Sequence, residues 1–239
     1  MNQSLTRSLR LEEGTLTLTL YAPADPAGCP QLWLPVGPED PEPIARGLRG
    51  VVLAAVSGAD WNRDLSPWPA PRAFRSGQDF SGGAEAFLDV LTGKLLPRAD
   101  RALGCVPRWR GIGGYSLAGL FALWSLCRTG CFRRAASVSG SLWFDGFPDF
   151  FRENLSDPPP EGVYLSLGRR EGLARDPRLA RVAPCTRDAA AFLAGKGVPV
   201  RFEWNEGGHF CDPAGRLLRG LTVLSEDGFR EPPSALSGE

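Results

Sequence analysis

Gly111-Ile112-Gly113-Gly114-Tyr115-Ser116-Leu117-Ala118-Gly119 is the stretch from which the rest of this chain can be read. Before it, residues 108–115 predict a strand that runs up to Ser116. After it, residues 117–127 are apolar on nearly every face, the pattern of a buried helix. A serine held between such a strand and helix sits on a sharp, strained turn, and the residues two before and two after it must be small for the turn to close. Gly114 and Ala118 meet that demand. Two other readings compete. A phosphate-binding loop would end in Lys-Ser/Thr or hold a G-x-G-x-x-G frame, and neither is in register here. A plain tight turn is the other, and the strand–turn–helix context favours an elbow that presents the Ser116 hydroxyl.

A serine hydroxyl needs a base to become a nucleophile, and near neutral pH that base is nearly always imidazole. The chain has one histidine, His209, in Asn205-Glu206-Gly207-Gly208-His209-Phe210. No serine other than Ser116 has glycine two residues before it. The order, nucleophile then histidine, is that of α/β-hydrolases and not of the chymotrypsin or subtilisin folds. His209 follows a predicted strand at 198–204, where an open α/β sheet places its sites. An acid that holds the imidazole tautomer belongs between the two, after a strand. Strand 163–167 is followed by Gly168-Arg169-Arg170-Glu171-Gly172 and then Asp176. Glu171 is the first candidate and Asp176 the second, with helix capping before Pro177 as the other use of Asp176. A Ser–His dyad is the remaining option.

The flanking sequence predicts the frame. Thr15-Leu16-Thr17-Leu18-Thr19-Leu20-Tyr21 alternates strictly, a half-buried strand with leucines inward and threonines outward. Residues 31–36 and 51–56 read as strands, the second apolar throughout like a central parallel strand. Residues 58–82 form a long Trp-, Pro- and Gly-rich loop, and 84–103 a helix. Strand 135–139 and helices over 178–194 and 213–225 complete an alternation that implies an α/β fold. The sheet is mostly parallel and covered on both faces, in one domain over residues 1–227 with a disordered tail at 228–239. Phe147-Pro148-Asp149-Phe150-Phe151 reads as the packed start of a helix, with a small flap as the alternative.

Leu117 N–H, at the helix N-terminus beside Ser116, is one candidate oxyanion donor. The second is expected from the loop after strand 51–56, at Trp61 or its neighbour Asp60. Asp60 and Arg63 on that loop, with Tyr115, Trp143 and Phe210, are the candidate substrate contacts, and Trp68 is a further aromatic of that loop cluster.

Composition narrows the setting. The 239 residues are 43% hydrophobic, enough for a full α/β core, and 27 Lys+Arg balance 27 Asp+Glu. Nothing favours nucleic acid or an anionic membrane. The arginines of 169–187 are read as a solvated face, with recognition of an anionic substrate as the alternative. No signal peptide or membrane span is expected, and the six cysteines, without C-x-x-C spacing, are read as reduced and mostly buried in a cytoplasmic protein. No metal or organic cofactor is required.

Gly114-Tyr115-Ser116-Leu117-Ala118-Gly119-Leu120, Ser139-Gly140-Ser141-Leu142-Trp143 and Gly207-Gly208-His209-Phe210 resemble the esterase D-like “putative esterase” family, which includes siderophore trilactone and feruloyl-type esterases. Residues 60–71 look like its small cytoplasmic members. The resemblance runs from Thr15 to about Leu224. It implies an α/β-hydrolase fold, a serine nucleophile with a histidine base, and a small-molecule ester as partner. It also favours Glu171, because siderophore-esterase relatives carry Gly-x-x-Glu after the equivalent strand. The expected activity is a serine carboxylesterase; acyl transfer by the same residues and a non-catalytic hydrolase-fold binding protein are the alternatives.

Overall fold

The computed structural model describes residue 5 and residues 7–38, 40–73 and 77–226, so the tail predicted at 228–239 lies outside the described residues. In chain order the elements are β1 (Arg7–Glu13), β2 (Leu16–Ala22), β3 (Gln31–Pro35), α1 (Glu42–Gly47), β4 (Val52–Ser57), α2 (Trp61–Asp64), β5 (Pro69–Ala70) and β6 (Phe80–Ser81). There follow α3 (Ala84–Val90), a π turn (Leu91–Leu95), α4 (Leu96–Leu103), β7 (Arg110–Tyr115), α5 (Leu117–Leu126), β8 (Arg134–Val138) and α6 (Phe147–Asn154). The chain continues through β9 (Gly162–Gly168), a 3-10 turn (Glu171–Leu173), α7 (Pro177–Ala180), α8 (Val182–Gly195), β10 (Val200–Asn205) and α9 (Pro213–Ser225).

Eight strands form one sheet in the order β1-β2-β4-β3-β7-β8-β9-β10. From β4 to β10 every pairing is parallel, while β2 runs antiparallel to both β1 and β4. Apolar side chains cover both faces. One face packs α5, with Leu120, Phe121 and Leu123, against β7 and β8; the other packs Leu217, Leu221 and Leu224 of α9 against β7, β8 and β9. Strands buried on both sides read as continuous apolar runs, as 52–56 does. The mostly parallel, doubly covered α/β sheet expected from the alternation is present.

Particular elements depart from expectation for identifiable reasons. β1 was not expected; Leu9 and Leu11 alternate with Ser8, Arg10 and Glu12, but two apolar residues are a weak period-two signal. Gly14, at φ 60°, turns β1 into β2. The leucines of β2 point inward as predicted, but Thr17 is also buried, its hydroxyl donating to Glu12 at 2.7 Å. The loop 58–82 contains α2 and the β5–β6 ribbon. The helix at 84–103 passes through the π turn, which accommodates Pro97 where a regular helix would drive its ring into the carbonyl of Gly93. The helix at 178–194 breaks between α7 and α8, where Pro184 has no N–H to donate to Ala180. The 147–151 stretch is a packed helix start: Phe147 and Phe151 are buried and stack at 5.5 Å.

The cysteines are free among the described residues, but only Cys185 is buried, while Cys131 and Cys211 are exposed, so the expectation of mostly buried thiols fails. Both of those exposed cysteines lie outside the regular elements, Cys131 between α5 and β8 and Cys211 between β10 and α9. Both sheet edges carry an Arg-x-Glu pair along the strand, Arg10–Glu12 on β1 and Arg201–Glu203 on β10, each at 2.8 Å.

Candidate functional site

The parallel strands deliver the site. Trp61 follows β4, Ser116 follows β7, Ser139 follows β8, Glu171 follows β9 and His209 follows β10, so five C-terminal strand ends converge on one region.

Ser116 has φ 58° and ψ −119°, a backbone conformation that costs a non-glycine residue about 1–3 kcal/mol. Neighbouring backbone holds it there: its N–H donates to Val138 at 3.1 Å, and its carbonyl accepts from Ser141, Gly119 and Leu120 at 3.0, 3.0 and 3.1 Å. Gly114 must be glycine for a steric reason. A Cβ there would lie 2.3 Å from the Ala118 carbonyl carbon, against backbone that cannot yield. Gly114→Ala is therefore expected to cost about 2–3 kcal/mol, read as a lower urea midpoint; an unchanged midpoint would mean that the turn relaxes freely.

The Ser116 hydroxyl lies 3.0 Å from His209 Nε2, and His209 Nδ1 lies 2.7 Å from Glu171 Oε2. An ionised carboxylate only accepts, so Nδ1 carries the proton and Nε2 is left to accept from the serine. Glu171 is buried. Burial alone would push its carboxyl up, but hydrogen bonds from His209, Ser139 and the Gly168 N–H outweigh that and hold it below the ordinary carboxylate value. Its second oxygen, Oε1, accepts from Ser139 Oγ and Gly168 N, both at 2.7 Å, and from Arg216 Nη1 at 3.3 Å. Asp176, the second candidate acid, instead caps α7, accepting from Arg178 N at 2.8 Å.

Ser116, His209 and Glu171 open into a cleft of about 520 Å³. Trp61, Phe80, Trp143, Leu173, Leu179 and Phe210 give it a mainly apolar wall. Trp143 is steadied from behind by Arg178, whose guanidinium lies 4.8 Å from its ring and pairs with Asp145 at 2.9 Å. Leu117 and Trp61, the expected oxyanion residues, both line the cleft. Each is the first residue of a helix, and such an N–H has no acceptor within its own helix.

Trp143 and Phe210 are among the lining residues, whereas Asp60, Arg63 and Tyr115 are not. Asp60 is occupied as the cap of α2, accepting from Arg63 N at 3.1 Å. Arg63 turns to Asp64 at 2.7 Å. Tyr115 packs behind His209, with its hydroxyl donating to the His209 carbonyl at 2.5 Å. Trp68 is drawn away to the Asp145 carbonyl and packs on Phe144 and Phe150. Sequence reasoning assigned no role to Ser139, Ser141 or Arg216. Ser139-Gly140-Ser141 was visible as a motif, and Arg216 was detectable only as a charge within the apolar stripe of α9.

The family model described as “Putative esterase” matches residues 44–211, and the chain belongs to that family. The uncharacterized protein YbbA of Bacillus subtilis (strain 168) is 24% identical over 153 residues, which are 63% of this chain and 61% of YbbA. The chain thus spans about three-fifths of the length of that curated relative. Among solved structures, the siderophore hydrolase EstA from Aspergillus nidulans superposes with a TM-score of 0.72 at 17% identity, covering 92% of this chain and 93% of its own. An IroE-like serine hydrolase from Shewanella oneidensis superposes with a TM-score of 0.74 at 17% identity, covering 91% of this chain and 79% of its own. The fold is that of an α/β-hydrolase.

Proposed function

We propose that the protein is a serine carboxylesterase that cleaves small-molecule esters through an acyl-enzyme on Ser116. The observation that carries this reading is the hydrogen-bonded line from Ser116 through His209 to buried Glu171, at 3.0 and 2.7 Å, on the wall of an apolar cleft. His209 Nε2 takes the hydroxyl proton as the serine oxygen attacks the ester carbonyl. The N–H groups of Leu117 and Trp61 hold the oxyanion as charge moves onto the carbonyl oxygen. The imidazolium, steadied by Glu171, returns its proton to the leaving alcohol. Water then enters, gives a proton to His209 and releases the acid. The cleft supports an ester with an apolar acyl or aryl part. Membership of the esterase family supports the reaction class, and the serine hydrolase named among the structural relatives supports the nucleophile. The unpaired cysteines support a reducing, cytoplasmic setting.

Labelling with a fluorophosphonate probe, followed by peptide mapping, tests the proposal. The expected result is a single adduct on Ser116 and matching loss of hydrolysis of aryl esters. A protein that neither labels nor hydrolyses any ester of an aryl, feruloyl and siderophore-lactone series would refute it.

A further inference from the structure

We propose that Arg216 is a positioning residue of this site, a brace that holds Glu171 and the His209 loop in register with the nucleophile. The inference rests on the serine-esterase reading of Ser116, His209 and Glu171. Arg216 lies on α9, among Leu217, Gly220 and Leu221, and is 4% exposed. A guanidinium is not buried without partners, because its desolvation must be offset by charge pairing and hydrogen bonds. The partners here come from four of the five strand ends at the site, those of β7, β8, β9 and β10. Nη1 reaches Glu171 Oε1 at 3.3 Å, Ser139 Oγ at 3.3 Å and Tyr115 Oη at 3.5 Å. Nη2 donates to the carbonyl of Glu206, on the loop that carries His209.

The pattern divides Glu171 between two tasks. Oε2 faces His209, and Oε1 is held by Ser139, the Gly168 N–H and Arg216. A carboxylate pinned at one oxygen cannot rotate, so the other keeps its aim at Nδ1. Tyr115, one residue before Ser116, extends the brace, since its hydroxyl meets Arg216 and also donates to the His209 carbonyl. Gly207, at φ 84°, lets the loop turn back so that its carbonyl accepts from Arg170 N at 3.0 Å, tying the histidine loop to the acid loop. No other basic side chain forms an ion pair with Glu171 among the described residues; the groups facing its carboxyl are His209, Arg216, Ser139 and the Gly168 N–H, with the Tyr115 hydroxyl alongside.

Arg216 is not itself among the residues lining the cleft and bonds neither Ser116 nor the His209 ring, so its loss should affect turnover more than substrate capture. Arg216→Met, with its apolar chain of similar length, is expected to lower kcat about 10- to 100-fold, the scale of a misaligned catalytic group, with KM within about twofold. The acid limb of the kcat/KM–pH profile should move to higher pH, because the cation beside Glu171 Oε1 that favours the ionised acid is gone. Arg216→Lys keeps the charge but not the fork, so its acid limb should stay near that of wild type while kcat falls less than in Arg216→Met. Added to Glu171→Gln, Arg216→Met should cause little further loss of kcat, since both act through one carboxylate. The inference is overturned if Arg216→Met keeps the wild-type kcat and profile, or if its loss adds in full to that of Glu171→Gln. It is also overturned if Arg216→Met fails to fold while a folded Arg216→Lys shows wild-type kcat, the result of a purely structural role. If the wild-type protein itself neither labels nor hydrolyses esters, the underlying esterase reading fails instead.

Discussion

Ser116→Ala is expected to abolish ester hydrolysis, with kcat falling by about 10³-fold or more, while the melting temperature stays near that of wild type. The substitution removes one oxygen and leaves the backbone as found. Alanine meets the same steric demands as serine at φ 58°, and the four backbone hydrogen bonds at residue 116 do not involve the side chain. Only the 3.0 Å contact to His209 and the 3.5 Å approach to Ser141 are lost. Steady-state hydrolysis of an aryl ester, with unfolding followed by circular dichroism, checks both halves. Near wild-type turnover in purified mutant would remove Ser116 from the chemistry, and with it the proposed function.

Glu171→Gln is expected to lower kcat by about 10²- to 10⁴-fold, and Asp176→Asn to change it little. Glutamine keeps the size of the side chain but presents an amide where Nδ1 needs an acceptor, so it tends to hold the imidazole in the wrong tautomer. Asp176 instead caps α7 at 2.8 Å, and its loss should cost only about 1 kcal/mol of stability. If Asp176→Asn proved the damaging change, the acid would be reassigned. Stability gives an independent readout of Glu171. Its folded-state carboxyl lies below the ordinary value, so its ionisation contributes stability above the unfolded value, about 4.3, and that contribution is lost as pH falls through the folded one. The difference in melting temperature between wild type and Glu171→Gln should therefore be largest near neutral pH and shrink on acidification below about 4.3.

Legibility in the sequence followed the range of the interactions. The turn at Ser116 was readable because its demands are local: small residues at 114 and 118, a strand before and a buried helix after. The sheet was readable because central strands such as 52–56 are apolar on both faces. His209 stood out because no other imidazole competes with it. Glu171 could be narrowed only to a choice with Asp176, since two carboxylates after one strand differ in sequence by little more than position. Their difference is three-dimensional: Glu171 turns in to Ser139, Gly168 and His209, and Asp176 turns to its own backbone. Arg216 meets Glu171 across 45 residues and Ser139 across 77, and no short-range pattern encodes such meetings. Asp60, Arg63 and Tyr115 lie beside residues that line the cleft, but each side chain is bound to another partner.

The Arg-x-Glu pairs on β1 and β10 bear on how the molecule behaves in a crowded solution. An open sheet ends in two strands whose outer N–H and C=O groups could template another chain, and a long flat apolar edge invites stacking into aggregates. Here both margins are marked by charge at alternate positions, Arg10 with Glu12 on one side and Arg201 with Glu203 on the other. A strand docking beside β1 would have to strip water from the well exposed Arg10 and Glu12. Charge at these margins thus weighs against edge-to-edge pairing of a sheet rich in buried leucine and valine.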